Sequence, residues 1–218
     1  MKTKRLLKQV LTFATALLLY AGTSHAGNYH ITIDTSVLSS AANSVNGLFS
    51  LDFQLNSGNT LNNNTATLSN FTFGGGGSPF GPVNIFGGAS GSLSSAVTLH
   101  DTGAFNEFFQ SFTTGSVIGF DLALTQNVDA GLTPDAFAIA ILDKNLLNIA
   151  TNGLADTLLF ANIDTTRALT IAQLNLASGV GSYTGVTIRA VRLLPEPTTL
   201  ALLAVGMGGL GFSRRART

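Results

Sequence analysis

The sequence predicts an all-β protein: one antiparallel β-sandwich or jelly-roll-like domain, residues 27–194, between two apolar end segments. Two observations carry this. Apolar residues recur with period two over short runs, as in half-buried strands. The connectors between those runs are rich in Gly, Asn, Ser and Pro, the residues that supply turn geometry. About ten such runs, with no convincing helix between them, point to a two-sheet antiparallel architecture.

The runs follow in order. Tyr29, Ile31 and Ile33 alternate with His30, Thr32 and Asp34. Phe49, Leu51, Phe53 and Leu55 alternate with Ser50, Asp52 and Gln54. Leu68–Phe73 reads as a strand. Asn56–Asn64 before it, with five Asn and one Gly, reads as a connector, as does Gly74–Pro82 with its Gly run and two Pro. Gly87–Ser92 is a further Gly/Ser connector, leading to Leu93, Ser95, Val97 and Leu99 at alternate positions. Asn106–Phe112 and Ile118–Leu124 follow, then a turn at Leu132-Thr133-Pro134-Asp135, then Phe137–Ile141 among alanines. Thr157–Asn162, Leu169–Leu174 and Val186–Ala190 complete the set. Arg167–Leu176 also has spacing that fits a short helix. The body holds 13 of the 15 Phe, and the expectation for nearly all of them is core. Phe53, Phe120 and Ile139 should point inward.

Composition narrows the function. At 218 residues one domain is the default. Only 10% of residues are charged, which is low for a cytosolic enzyme surface. Seven of the eleven Lys and Arg sit at the two ends. Residues 27–194 keep Lys144, Arg167, Arg189 and Arg192 against ten acids, so the body carries 4 − 10 = −6. A body of that sign has no footprint for nucleic acid. The absence of Cys excludes disulfides, thiolate metal sites and a cysteine nucleophile.

The N-terminus has the layout of a secretory signal peptide, residues 1–26. Lys2, Lys4, Arg5 and Lys8 precede the apolar run Val10–Ala21, and Ser24-His25-Ala26 places small residues at the outer positions. Signal peptidase is expected to cut between Ala26 and Gly27. The run is short for a permanent span, which needs about 20 apolar residues.

The C-terminus, residues 195–218, also has three parts. Pro195-Glu196-Pro197 is stiff and extended, because proline fixes its own φ and restricts its predecessor. Thr198–Phe212 is apolar and uncharged, and is expected to cross the membrane as a transient helix. Arg214, Arg215 and Arg217 then hold the end on the cytoplasmic side. This arrangement resembles a PEP-CTERM sorting signal. The resemblance implies a Gram-negative export substrate, recognised by an exosortase-type membrane transpeptidase. Such families often occur in bacteria that make extracellular polysaccharide and biofilm. It also implies a cell-surface or extracellular destination, with Pro195, Glu196 and Pro197 as the recognition element.

The body is similar to a recurring PEP-CTERM extracellular family. The likeness rests on Tyr29–Leu38, the run Leu48-Phe-Ser-Leu-Asp-Phe-Gln-Leu55, Asp135–Asp143 and Leu158–Asp164. No activity is assigned to that family, so no functional residue transfers.

The body shows no catalytic set. His30 and His100 lack a second His at ligand spacing. His30 reads as an exposed strand residue, and His100-Asp101 ends a strand. Gly179-Val180-Gly181-Ser182 and Gly88-Ala89-Ser90-Gly91 do not form a nucleophile elbow. Gly74–Gly77 lacks the Lys-Ser/Thr ending of a phosphate loop. Glu107, among Phe105, Phe108, Phe109 and Phe112, has the surroundings that raise a carboxyl pKa, but reads first as a charge on a strand's solvent face. No cofactor is expected. If a metal binds, it is calcium, through Asp129, Asp135 and Asp143 with Asn127 and Asn145 nearby. The expectation is a non-enzymatic cell-surface or matrix protein. The alternative is a jelly-roll carbohydrate-binding module or polysaccharide-active protein. The absence of Trp, with Tyr29 and Tyr183 the body's only tyrosines, weighs against that alternative.

Overall fold

The structure, a computed structural model, describes residues 26–39, 49–151, 154–166, 169–171 and 188–193. The signal segment 1–25, the sorting segment from residue 194 onward, Tyr183, Val186 and residues 172–176 lie outside the described residues. Among the described residues no helix is long and apolar enough to cross a membrane.

Among the described residues twelve strands form two antiparallel sheets. They are β1 (Ala26–Asp34), β2 (Phe49–Asn56), β3 (Thr65–Gly74), β4 (Ser78–Phe86), β5 (Gly88–Gly91), β6 (Val97–His100), β7 (Glu107–Thr113), β8 (Val117–Thr125), β9 (Asp135–Leu142), β10 (Leu159–Ile163), β11 (Leu169–Ile171) and β12 (Ile188–Arg192). The first sheet runs β12-β1-β8-β3-β6-β5 and the second β11-β10-β9-β2-β7-β4. The only helical pieces described are 3₁₀ turns at Ser36–Ser39 and Leu154–Asp156.

The period-two runs orient these strands as the sequence predicts. Ile31 and Ile33 of β1, and Phe120, Leu122 and Leu124 of β8, are buried. Leu51, Phe53 and Leu55 of β2, and Phe137, Ile139 and Ile141 of β9, are buried from the second sheet. The two apolar faces meet in one core. Phe53 lies 5.6 Å from Phe120 edge-on, 6.0 Å from Phe108 and 6.1 Å from Phe71. Phe73 and Phe112 meet at 6.4 Å. Such tilted and edge-on ring pairs each contribute about 0.5–1.5 kcal/mol beyond their buried area.

Four expectations are corrected. Gly74–Pro82 is not wholly a connector: Gly75 and Gly76 make the turn, and Ser78–Phe86 is β4. The strand tolerates Pro79 and Pro82 because it is the edge of its sheet, where a missing N–H costs no ladder bond. Gly87–Ser92 likewise contains β5, which pairs with β6. Gly91 at φ 100° closes that hairpin, where any Cβ would collide with the Ala96 carbonyl. Leu93 and Ser95 sit in this turn rather than in a strand. Leu93 still packs into the core, and its N–H donates to the Gln110 Oε1 at 2.9 Å. Finally, Phe80, Phe86 and Phe105 are not core; they are 49%, 61% and 40% exposed. Phe80 and Phe86 lie on an edge strand, which has a neighbour on one side only, and Phe105 lies in the loop before β7.

Candidate functional site

Three connectors, 57–64, 101–106 and 126–134, gather at the end of the fold where β2 leaves and β7 and β9 enter. The Asn-rich connector 57–64 is held there by three carboxylates. Asp101, 1% exposed, accepts the N–H groups of Asn63 and Asn64 on its Oδ2 at 3.0 and 2.9 Å. Its Oδ1 is buried without a hydrogen-bond partner among the described residues. Burial, with the Asp135 carboxyl as neighbour, raises the Asp101 pKa, while the two amides oppose that rise. Asp135 accepts from the Gly58 N–H at 2.8 Å and from the Asn64 Nδ2 at 2.8 Å. Asp129 accepts from Asn59 Nδ2 at 2.9 Å and Asn63 Nδ2 at 2.8 Å. Asn64 Oδ1 takes the Asn127 N–H at 2.9 Å.

These bonds decide where the calcium candidates stand. Asp129 and Asp135 are brought together through Asn59. Asp143 is not: it starts the turn at the opposite end of β9, roughly 26 Å along the strand from Asp135 at ~3.3 Å per residue. There it accepts the Asn145 and Leu147 N–H groups at 2.8 and 3.0 Å. Among the described residues no group of three or more His, Asp or Glu could hold a metal ion.

Beside the carboxylates lies a cleft of about 390 Å³, between the 57–62 and 102–104 segments. Ser57, Asn59, Thr60, Asn62 and Thr102 supply its polar side chains, and it has no charged lining residue. Its far wall is pinned by Asn106, which is fully buried. The Asn106 Nδ2 donates to Leu55 O at 2.7 Å and Gly103 O at 2.6 Å, and its Oδ1 accepts the N–H groups of Gly88 and Gly103 at 2.8 and 3.1 Å. One amide thereby joins the end of β2, the loop into β7 and the start of β5. Phe105, next to it, pairs with Phe86 at 5.8 Å between ring centroids.

Glu107 stands on the outer face of the second sheet, as its strand position predicts. Cross-strand from it is Gln54, whose Nε2 donates to Glu107 at 3.3 Å and to Asp52 at 2.8 Å. Desolvation first, then repulsion from Glu107, pushes Asp52 up to about 7. Desolvation also raises Glu107. On the outer face of the first sheet His30 Nδ1 lies 2.7 Å from Asp121 Oδ1, and Asn70 Nδ2 donates to the other oxygen at 2.8 Å. The Asn70 bond, then the His30 bond, lowers the Asp121 pKa. His100 Nδ1 lies 3.1 Å from the Thr65 hydroxyl.

Sequence reading missed Asp52, Asp101, Asp121 and Asn106 as polar centres. Asp52 and Asp121 occupy the polar phase of their strands, which marks exposure and not partners. The cluster of five Asn in 56–64 was the one visible signal, since that density of amides needs acceptors.

The comparisons with curated proteins and with solved structures return no match. A protein-family model does match the C-terminus. Residues 194–217 match the PEP-CTERM protein-sorting motif, which implies export to the cell envelope or surface and processing by an exosortase at the membrane.

Proposed function

We propose that the chain is an exported, non-enzymatic cell-surface or extracellular-matrix protein of an exopolysaccharide- and biofilm-forming bacterium. The sorting motif at 194–217 carries this reading. The signal peptide is residues 1–26, cut between Ala26 and Gly27, so that the mature chain opens directly into β1. The body is a jelly-roll-like sandwich. Supporting this, β1 pairs with β8, β2 with β7 and β3 with β6, the nested pairs of one long hairpin, while β8·β3 and β7·β4 close its coils into two sheets. The acids serve the fold. The oxygens of Asp129, Asp135 and Asp121 are taken by Asn and His donors, and Asp52 is 1% exposed. Calcium is not needed to hold these loops.

The test is N-terminal sequencing and fractionation of the tagged parent chain. Material beginning at Gly27 and found outside the inner membrane is expected. A chain that keeps residues 1–26, or stays in the cytoplasm, overturns the proposal.

A second reading, a carbohydrate-binding body, is favoured by the exposed Phe86–Phe105 pair beside an uncharged polar cleft. It supplies the aromatic surface that the missing Trp had put in doubt.

A further inference from the structure

We propose that the cleft between residues 57–62 and 102–104, with the Phe86–Phe105 shelf at its rim, binds a neutral glycan chain. The inference rests on the carbohydrate-binding reading and gives it a site. Three observations converge on it.

The first is unspent hydrogen-bonding capacity. Thr60, Asn62 and Thr102 line the cleft and make no side-chain hydrogen bond within the protein among the described residues. Two hydroxyls and an amide provide donors and acceptors of both kinds, which matches the mixed capacity of sugar hydroxyls.

The second is the rim. Ala104 lines the cleft, and Phe105 follows it directly in the chain. Phe105 and Phe86 keep their rings 40% and 61% exposed and 5.8 Å apart. A pair of exposed rings in contact is a large apolar outlay for a protein with a Phe-filled core, and such patches mark contact sites. The C–H face of a pyranose is the apolar complement that a polar cleft would accompany.

The third is rigidity. Asp101, Asp129 and Asp135 fix one wall through the backbone and side chains of 58–64, and Asn106 fixes the other. A wall already ordered in the free protein loses little entropy on binding. The lining has no charge and the body is net negative, so an uncharged glycan is favoured over an acidic one.

The test uses the full exported chain, purified from cells, against immobilised neutral hexasaccharides of the glucan, mannan and galactan types and against alginate as the acidic comparison. At least one neutral hexasaccharide should bind, and raising salt from 50 to about 500 mM should leave binding unchanged, since no ion pair is involved. Phe105→Ala, Phe86→Ala and Thr60→Lys should each weaken it about tenfold or more, corresponding to about 1.4 kcal/mol. All three positions are exposed, so melting temperatures should match the parent. Leu147→Ala, an exposed apolar change far from the cleft, should have no effect. Binding that survives all three cleft variants, or falls equally with Leu147→Ala, overturns the site while leaving a carbohydrate-binding body standing. No binding to any neutral glycan overturns both.

Discussion

Asp52 and Glu107 stand on neighbouring strands of one sheet and share a single donor, the Nε2 of Gln54. The two bonds of 2.8 and 3.3 Å place the accepting oxygens no more than 2.8 + 3.3 = 6.1 Å apart. One amide N–H pair cannot neutralise two carboxylates. The more deeply buried one, Asp52, therefore keeps its proton near neutral pH.

This arrangement makes stability depend on pH in a defined direction. The folded-state pKa of Asp52 is raised from 3.8 to about 7. Between those values the native state binds a proton that the unfolded state has lost. Stability is therefore greatest below pH ~4, falls as pH rises toward 7, and is level above it. The loss is on the order of 4 kcal/mol. Asp52→Asn keeps the shape and removes the ionisation. It should raise the melting temperature at pH 8 by roughly 10 °C and leave it nearly unchanged at pH 4. Equal shifts at both pH values, followed by circular dichroism, would show that the carboxyl carries no such penalty.

Asn106 should be the most costly polar residue to remove. Its side chain holds four backbone groups from three segments, all within 3.1 Å. Asn106→Ala orphans all four in a buried site, where each unpaired group costs ~1 kcal/mol or more. A loss of at least 3 kcal/mol in urea unfolding is expected. Asn106→Asp should not rescue it, because a carboxylate accepts but cannot donate to Leu55 O and Gly103 O.

Phenylalanines should divide into two populations. Phe53→Ala removes the ring that touches Phe71, Phe108 and Phe120, and should cost about 3–5 kcal/mol. Phe80→Ala, on the exposed edge strand, should change stability by no more than ~0.5 kcal/mol. Comparable losses at both positions would mean that the edge strand is covered in solution.

That division shows what the sequence could and could not carry. Patterning located ten of the twelve described strands and the inward phase of Ile31, Phe53, Phe120 and Ile139, because burial of one face is a local, periodic demand. β4 and β5 escaped it. Both are edge strands whose residues answer to one neighbour, so Gly and Pro were free to dominate their composition. The polar centres escaped for a different reason. Asp101, Asn106 and Asn64 act across sequence separations of up to 71 residues, and no spacing rule reaches so far. The sorting motif was legible because it is a continuous pattern along residues 194–217.

The Asp-rich loops should be indifferent to calcium. Asp129 and Asp135 already spend their oxygens on Asn59, Asn63, Asn64 and Gly58 donors, and Asp143 is in another turn. A ligand that binds only the native state raises the melting temperature by mass action. Melting curves in millimolar calcium and in chelator should therefore coincide, and a rise with calcium would restore Asp129 and Asp135 as ligands.

The C-terminal tail separates recognition from retention. On the proposed reading, Glu196, which stands between two prolines in the sequence, is the element that the processing enzyme recognises. On the same proposed reading, Arg214, Arg215 and Arg217, which follow the apolar run Thr198–Phe212, resist translocation and park that run across the bilayer. The two elements act in sequence, so their losses should differ in kind. Glu196→Ala should leave a full-length precursor held in the inner membrane with its body outside. Replacing all three Arg by Gln should let the chain pass through uncut. An epitope tag in the exposed Lys144–Leu147 turn, followed through membrane and extracellular fractions, distinguishes the two outcomes. Recovery of both variants in the processed form, at the parent's level, would mean that residues 194–217 do not act as a sorting signal in this protein.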